Sequence, residues 1–308
     1  MKAALYTVTY SGVFYEGPHL ELKDIFPRVA DLGYDGIEIG AKRPIASPID
    51  LNTAARNEIK ALGPRYGLEI PCVAGYTDFT SGVPEHREMQ LLMLRETIRL
   101  AHDLEAPFVR IFAAWSGITM REGHGVYEIS RSSYNQPDVT HLEKWHWARE
   151  CIEEASRWAE KYGVVLALQN HSPVTSTLYH TLEMIEEVNS PWVKACIDAP
   201  LITDQSDEYI YAGLIRTGDL QVWSHFGGYL ETPDGKISEE MDKGTIIVNY
   251  PAFFRGLRDI GYQGYIAYEG CGPVLVNHNW GGLDEVDRRA KLALEYIRRQ
   301  IGVVNKNK

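Results

Sequence analysis

A closed (β/α)8 barrel is the fold class this sequence predicts, and three observations carry the prediction. Eight short aliphatic or β-branched runs recur along 308 residues, most of them followed by a polar loop and an amphipathic helix pattern. Glycine stands just before the next run at Gly33, Gly67, Gly163 and Gly261, where a left-handed residue can close the last helical turn. The segment after the first run, Thr9-Tyr-Ser-Gly-Val, lacks the G-x-G-x-x-G turn of an open doubly wound sheet.

The runs, in order, are Ala3–Val8, Tyr34–Ile39, Leu68–Val73, Pro107–Ala113, Val164–Gln169, Trp192–Asp198, Leu220–Phe226 and Tyr265–Tyr268. Their mostly apolar character is what helices covering a parallel sheet require of its strands. The helices between them read from spacing. Leu91, Leu94, Ile98 and Ala101 form one stripe; Ala148, Cys151, Ile152, Ala155 and Ala159 a second; Val286, Ala290, Ala293, Ile297 and Ile301 a third. Residues 1–308 are accordingly expected to form a single barrel domain. Two connections are long, residues 114–140 after the fourth run and 227–248 after the seventh. Both belong to the catalytic rim of such a barrel and are candidate lids.

The charge excludes whole classes of partner. Lys+Arg 31 against Asp+Glu 42 gives 31 − 42 = −11, and no Lys/Arg run exceeds a dipeptide, so phosphate backbones would repel the chain. No stretch of eighteen apolar residues offers a membrane span, and the first residues carry no export signal. Four scattered cysteines, Cys72, Cys151, Cys196 and Cys271, read as reduced thiols. The expectation is a cytoplasmic protein that binds neither nucleic acid nor membrane, with homo- or hetero-oligomeric assembly left open.

In a barrel, a polar residue that ends an apolar strand packs poorly and meets ligand well. The last four runs end in Gln169, Asp198, His225 and Glu269. One amide oxygen, two carboxylates and one imidazole at the same level make a divalent-cation site. A donor set without thiolate favours Mn²⁺, with Mg²⁺, Co²⁺, Fe²⁺ and Zn²⁺ compatible. Each residue alone is as well explained by a helix cap, an ion pair or a core histidine; four in consecutive units are not. His171, two residues past Gln169, projects to the same side if the strand continues, and a neutral imidazole can take a proton α to a carbonyl. His171 is therefore a candidate catalytic residue, with a purely supporting role as the alternative. Trp115, Trp280, His278 and the stretches Tyr127–Tyr134 and Tyr209–Tyr211 are placed in rim loops, where aromatic planes suit the face of a ring-shaped ligand. Gly227–Gly228 and Gly270–Gly272 could cradle phosphate, but few cations accompany them. An unphosphorylated ligand is the expectation.

These strand endings, together with Gly33-Tyr-Asp-Gly-Ile-Glu38-Ile, Phe108-Val-Arg110-Ile and Gly264-Tyr-Ile-Ala-Tyr-Glu269, resemble the sugar phosphate isomerase/epimerase superfamily. These are the xylose isomerase-like barrels that include tagatose-type 3-epimerases, inosose dehydratases and endonuclease IV. The likeness covers nearly the whole chain. It implies metal-ligand roles for Asp198, His225 and Glu269, and substrate-pocket roles for Glu38 and Arg110. Two positions depart from it: Gln169 stands where the epimerases carry glutamate, and Leu201 where they often carry histidine. The resembling epimerases move protons with two metal-bound glutamates on opposite faces of the sugar, which makes Glu269 a candidate catalytic residue beside His171. The Gln169 amide can coordinate a cation but is too weak a base to accept a proton. With Asp198 and Glu269 ionised, a divalent ion sums to zero charge, which makes it a stronger Lewis acid than one among three carboxylates.

The resemblance implies a metal-dependent isomerase or epimerase that abstracts a proton α to a carbonyl of a carbohydrate or polyol through an enediolate, with a small-molecule sugar or glycoside, unphosphorylated, as substrate. Gln169 makes a lyase its rival, resembling inosose dehydratases or the C-deglycosidases that act on 3-keto glycosides. A barrel that has lost catalysis and serves as a binding or partner subunit is the third reading.

Overall fold

All eight expected strands close into one parallel ring. The computed structural model describes residues 1–117, 119–121, 124–126, 136–231, 237–243 and 246–306. The barrel strands are β1 (Lys2–Tyr6), β2 (Gly36–Gly40), β3 (Glu69–Ala74), β4 (Phe108–Ile111), β5 (Val165–Gln169), β6 (Val193–Cys196), β7 (Gln221–Phe226) and β8 (Tyr265–Tyr268). Each pairs in parallel with its neighbours in the chain, and β8 closes on β1. Outside them lie α1 (Leu22–Leu32), α2 (Thr53–Tyr66), α3 (Pro84–Asp103), α4 (His141–Tyr162), α5 (Leu178–Val188), α6 (Asp207–Thr217), α7 (Tyr250–Asp259) and α8 (Leu283–Lys306).

Local chemistry sets the helix ends. Asn52, Thr177, Ser206 and Asn249 each accept a backbone N–H of the first turn, and Thr140 with Glu143 forms a reciprocal capping box on α4. Gly33, Gly67 and Gly163 end their helices at positive φ, which costs a glycine nothing sterically. The three stripes read from the sequence are buried against the barrel, with Ile301 only partly covered.

The strands alternate between two apolar layers. Leu5, Ile37, Ile39, Val109, Leu166, Leu168 and Phe226 face outward into the large core shared with the helices. A second, smaller cluster fills the barrel interior: Ala4, Cys72, Ala167, Cys196, Trp223, Tyr265 and Ala267. Mostly small side chains from several strands leave room for the one indole, so the interior is a packed plug.

The two long rim connections carry structure of their own. Ala114–Trp115 pairs antiparallel with Thr77–Asp78, and Thr119–Arg121 with His124–Val126. Beyond β7, Tyr229–Glu231, Ile237–Lys243 and Ile246–Val248 form a three-stranded antiparallel sheet. The Tyr127–Tyr134 stretch lies outside the described residues. Tyr209 and Tyr211 do not belong to a rim loop; they sit in α6, whose start is fixed one residue before Asp207 by the Ser206 cap.

Candidate metal centre and substrate cavity

The period of two along a strand decides what stands at the mouth. Two residues beyond the plug residues Ala4, Ala167, Cys196, Trp223 and Ala267 come Tyr6, Gln169, Asp198, His225 and Glu269. A polar layer therefore rests on an apolar floor. Within it, Gln169 Nε2 donates to Asp198 Oδ2, and His225 Nδ1 lies 2.9 Å from the same oxygen. Asp198 Oδ1 accepts the His225 backbone N–H at 2.6 Å, and Cys196 Sγ is 3.5 Å from it. Asp198, His225 and Gln169 are all at most 2 % exposed, so these contacts act in a low-dielectric setting.

Electrostatics follow from that burial. Burial opposes the charge on Asp198, but neighbouring His225 and hydrogen bonds from His225 and Gln169 outweigh it and hold the carboxyl below its usual range. Burial likewise opposes a charged His225; Glu38, Asp198 and Glu269 outweigh it and push the imidazole well above its ordinary value.

Three of the four expected ligands meet. Among the described residues, the His, Cys, Asp and Glu atoms within 4.8 Å of one another are those of Cys196, Asp198 and His225, with Gln169 bonded to Asp198. Glu269 is outside that cluster and lines the adjoining cavity. The donors fit a divalent cation on one observation in particular: Gln169 Oε1 is buried beside Asp198 and has no hydrogen-bond partner among the described residues. Gln169 Oε1, Asp198 Oδ2 and His225 Nδ1 would hold the ion, with Glu269 as a fourth oxygen donor at the cavity wall.

The cavity has a volume of about 180 Å³ and opens at the carboxyl ends of the strands. Tyr6, Lys42, Tyr76, Arg110, Trp115 and Glu269 line it. Arg110 and Trp115 thus fall where expected. Glu38 does not: it is fully buried beneath the site, where Oε2 accepts from His225 Nε2 at 2.7 Å and Trp223 Nε1 at 3.3 Å. The alternation along Gly36–Gly40 explains this, since Glu38 points inward from mid-strand rather than from the strand's end.

His171 also differs from the extended-strand expectation. β5 ends at Gln169, and the His171 N–H folds back to the Gln169 carbonyl at 2.9 Å. The imidazole then stacks on Trp115, with centroids 4.9 Å apart, and meets Phe112 edge-on at 4.9 Å. Both aromatic partners are cavity walls, which places His171 behind the rim. Nδ1 pairs with the Ser172 carbonyl, so a neutral ring carries its lone pair on Nε2. His278 and Trp280 are exposed on the Leu275–Val276/Asn279–Trp280 hairpin and do not line the cavity.

Four residues of the site were absent from the sequence expectations: Tyr6, Lys42, Tyr76 and Cys196. Tyr6 ends β1 and carries the same signal as the endings of strands five to eight, a polar group after an apolar run. Lys42 and Tyr76 lie just past β2 and β3, where no periodicity marks them. Burial lowers the Lys42 pKa, and its Nζ donates to the Ser116 carbonyl at 2.9 Å.

A profile of the xylose isomerase-like TIM barrel matches residues 26–300. The chain belongs to that family. Fructoselysine 3-epimerase of Shigella flexneri is 26 % identical over 283 residues, covering 87 % of this chain and 90 % of the relative. Two solved structures share the fold. D-Psicose 3-epimerase with D-tagatose, from Clostridium cellulolyticum H10, superposes with a TM-score of 0.73 at 19 % identity, covering 98 % of this chain and 99 % of that one. 3-Keto-D-glucoside 4-epimerase from E. coli gives 0.68 at 17 % identity, with 97 % and 98 % covered. No helix among the described residues of this xylose isomerase-like barrel is long and apolar enough to cross a membrane.

The thiols offer a direct check of the interior. Burial raises the Cys72 and Cys196 thiols well above their ordinary range and Cys151 to about 12, whereas Cys271 is half-buried on the cavity wall. An aromatic disulfide reagent at neutral pH should modify one thiol of the native chain and four after denaturation, since only thiolate reacts. Rapid native modification of three or four would contradict the packed plug.

Proposed function

We propose that this chain is a divalent-metal-dependent sugar epimerase, acting on an unphosphorylated ketose or keto-glycoside by proton transfer at the carbon beside the carbonyl. The observation that carries the reading is the cavity itself. A carboxylate, Glu269, lines it together with Tyr6, whose ring packs 5.7 Å from His225, so the cavity adjoins the buried amide oxygen, carboxylate and imidazole set to hold one cation at the mouth of a family barrel. Relatives named for 3-epimerase and 4-epimerase activities support it. A bound divalent ion, Mn²⁺ foremost, supplies Lewis-acid polarisation of the substrate carbonyl.

The chain's own groups do the rest. Glu269 takes the proton from the carbon, and Arg110 and Lys42 keep the cavity electropositive as enediolate charge develops. Trp115 offers a face to the ring. Gln169 cannot serve as a base for the second sugar face, and His171, packed behind Trp115 and Phe112, supports that wall instead of facing the substrate. The free cysteines fit a reducing compartment such as the cytoplasm.

The absence of a strand-five carboxylate favours one second reading, a lyase that shares the first proton abstraction and then expels a β-substituent. Both are tested in D₂O with metal-loaded protein and a panel of ketoses, inososes and 3-keto glycosides, followed by NMR. Deuterium entry with an inverted centre supports the epimerase; deuterium entry with a departing group supports the lyase; no exchange on any substrate overturns both. His171→Ala is expected to raise KM by loosening the Trp115 wall, with kcat and cation content near wild type. Inversion abolished at saturating sugar would instead make His171 the second base.

A further inference from the structure

We propose that Tyr76 donates a hydrogen bond to a substrate oxygen, its proton being aimed into the cavity by Arg110 through Tyr6. The inference rests on the sugar-site reading of the cavity.

The direction of the chain follows from which groups can donate. A guanidinium has five N–H donors and no acceptor. Arg110 Nη2 therefore donates to the Tyr6 hydroxyl at 2.9 Å, while Nη1 donates to the Gly75 carbonyl at 3.1 Å. The other partner of Tyr6 OH is Tyr76 OH. If Tyr76 were the donor there, Tyr6 would accept twice, and its own proton, on a side chain 1 % exposed, would face no acceptor among the described residues. Burying an unpaired donor is costly, and the opposite order avoids it. Tyr6 thus donates to Tyr76.

That leaves the Tyr76 proton without an acceptor among the described residues, on a hydroxyl at the cavity wall. The ring cannot easily swing away. A Cβ on Gly117 would meet Tyr76 Cδ1 at 2.4 Å, one on Gly40 would meet its hydroxyl at 3.3 Å, and Lys42 Nζ sits 5.2 Å from the ring centre. Accepting from Tyr6, which in turn accepts from a cation, polarises the Tyr76 O–H and makes it a better donor. Such a donor gains most when its acceptor becomes anionic, which is what a substrate oxygen does when the neighbouring carbon loses its proton. Tyr76 is then a catalytic residue, Tyr6 and Arg110 positioning residues.

The test uses the Mn²⁺-loaded full chain with D-fructose, D-tagatose, L-ribulose and a 3-keto glucoside, reading deuterium exchange by NMR and ligand binding by calorimetry. Tyr76→Phe is expected to lower the exchange kcat by about 10²-fold, the usual scale for one oxyanion donor, with KM changed far less. Tyr6→Phe should lower it by a smaller factor, and adding Tyr6→Phe to Tyr76→Phe should cost nothing further, because the relay then ends nowhere. Wild-type exchange rates in Tyr76→Phe, or losses that multiply in the double variant, would overturn the relay and leave the epimerase reading intact. If the wild type neither binds nor exchanges any of the four sugars, the sugar reading falls and the Tyr76 assignment falls with it.

Discussion

Glu269→Gln should leave the barrel folded and still able to take a cation, while proton exchange on the sugar drops by about 10²–10⁴-fold, the usual contribution of a positioned base. The fold survives because what ties this position down is backbone: the Glu269 N–H donates to the Phe226 carbonyl at 2.9 Å, continuing the β7–β8 ladder. Its side chain faces the cavity and lies outside the buried Asp198–His225 cluster, so an amide of the same shape strands no buried charge. The cation keeps Gln169 Oε1, Asp198 Oδ2 and His225 Nδ1, and it gains an amide oxygen in place of a carboxylate oxygen. Affinity should fall, but by a smaller factor than exchange. Metal analysis and D₂O exchange on the same sample separate the two effects. Exchange within tenfold of wild type would mean that another group removes the proton.

The contrast between Glu269 and His171 shows where sequence reasoning reached and where it stopped. The eight strands, four glycine helix ends and three helix stripes were legible because each rests on local chemistry: periodicity, or the tolerance of glycine for positive φ. Gln169, Asp198 and His225 were legible for a related reason, since alternation past an apolar run puts the next inward residue at the mouth. His171 required the strand to run two residues further. What ends it is a turn at Gln169 and a stack on Trp115, a residue 56 positions earlier in the chain. Contacts of that range leave no local pattern. The same holds for Lys42 and Tyr76, which share one cavity with Arg110 and Glu269 only because the ring closes.

Glu38→Ala is the substitution expected to cost the most stability, about 3–5 kcal/mol, as for any buried ion pair stripped of one partner. Glu38 is 0 % exposed and serves several groups at once. Oε2 accepts from His225 Nε2 and Trp223 Nε1, and Oε1 lies 3.8 Å from Arg110 Nε, an atom with no hydrogen-bond partner among the described residues. Alanine would leave His225 and Arg110 facing each other across a void without the charge that compensates both. Glu38→Gln should fall between, because its amide still offers Trp223 and His225 an acceptor but no counter-charge. An exposed pair gives the control: Arg43 and Asp50 bond in a bidentate fork, yet water screens them, and Asp50→Ala should leave the urea midpoint unmoved. The Glu38 variants should also bind Mn²⁺ more weakly, because the ring that presents His225 Nδ1 is held in place from its far nitrogen. A Glu38→Ala midpoint no lower than that of Asp50→Ala would mean that the buried carboxylate is not the counter-charge of this site.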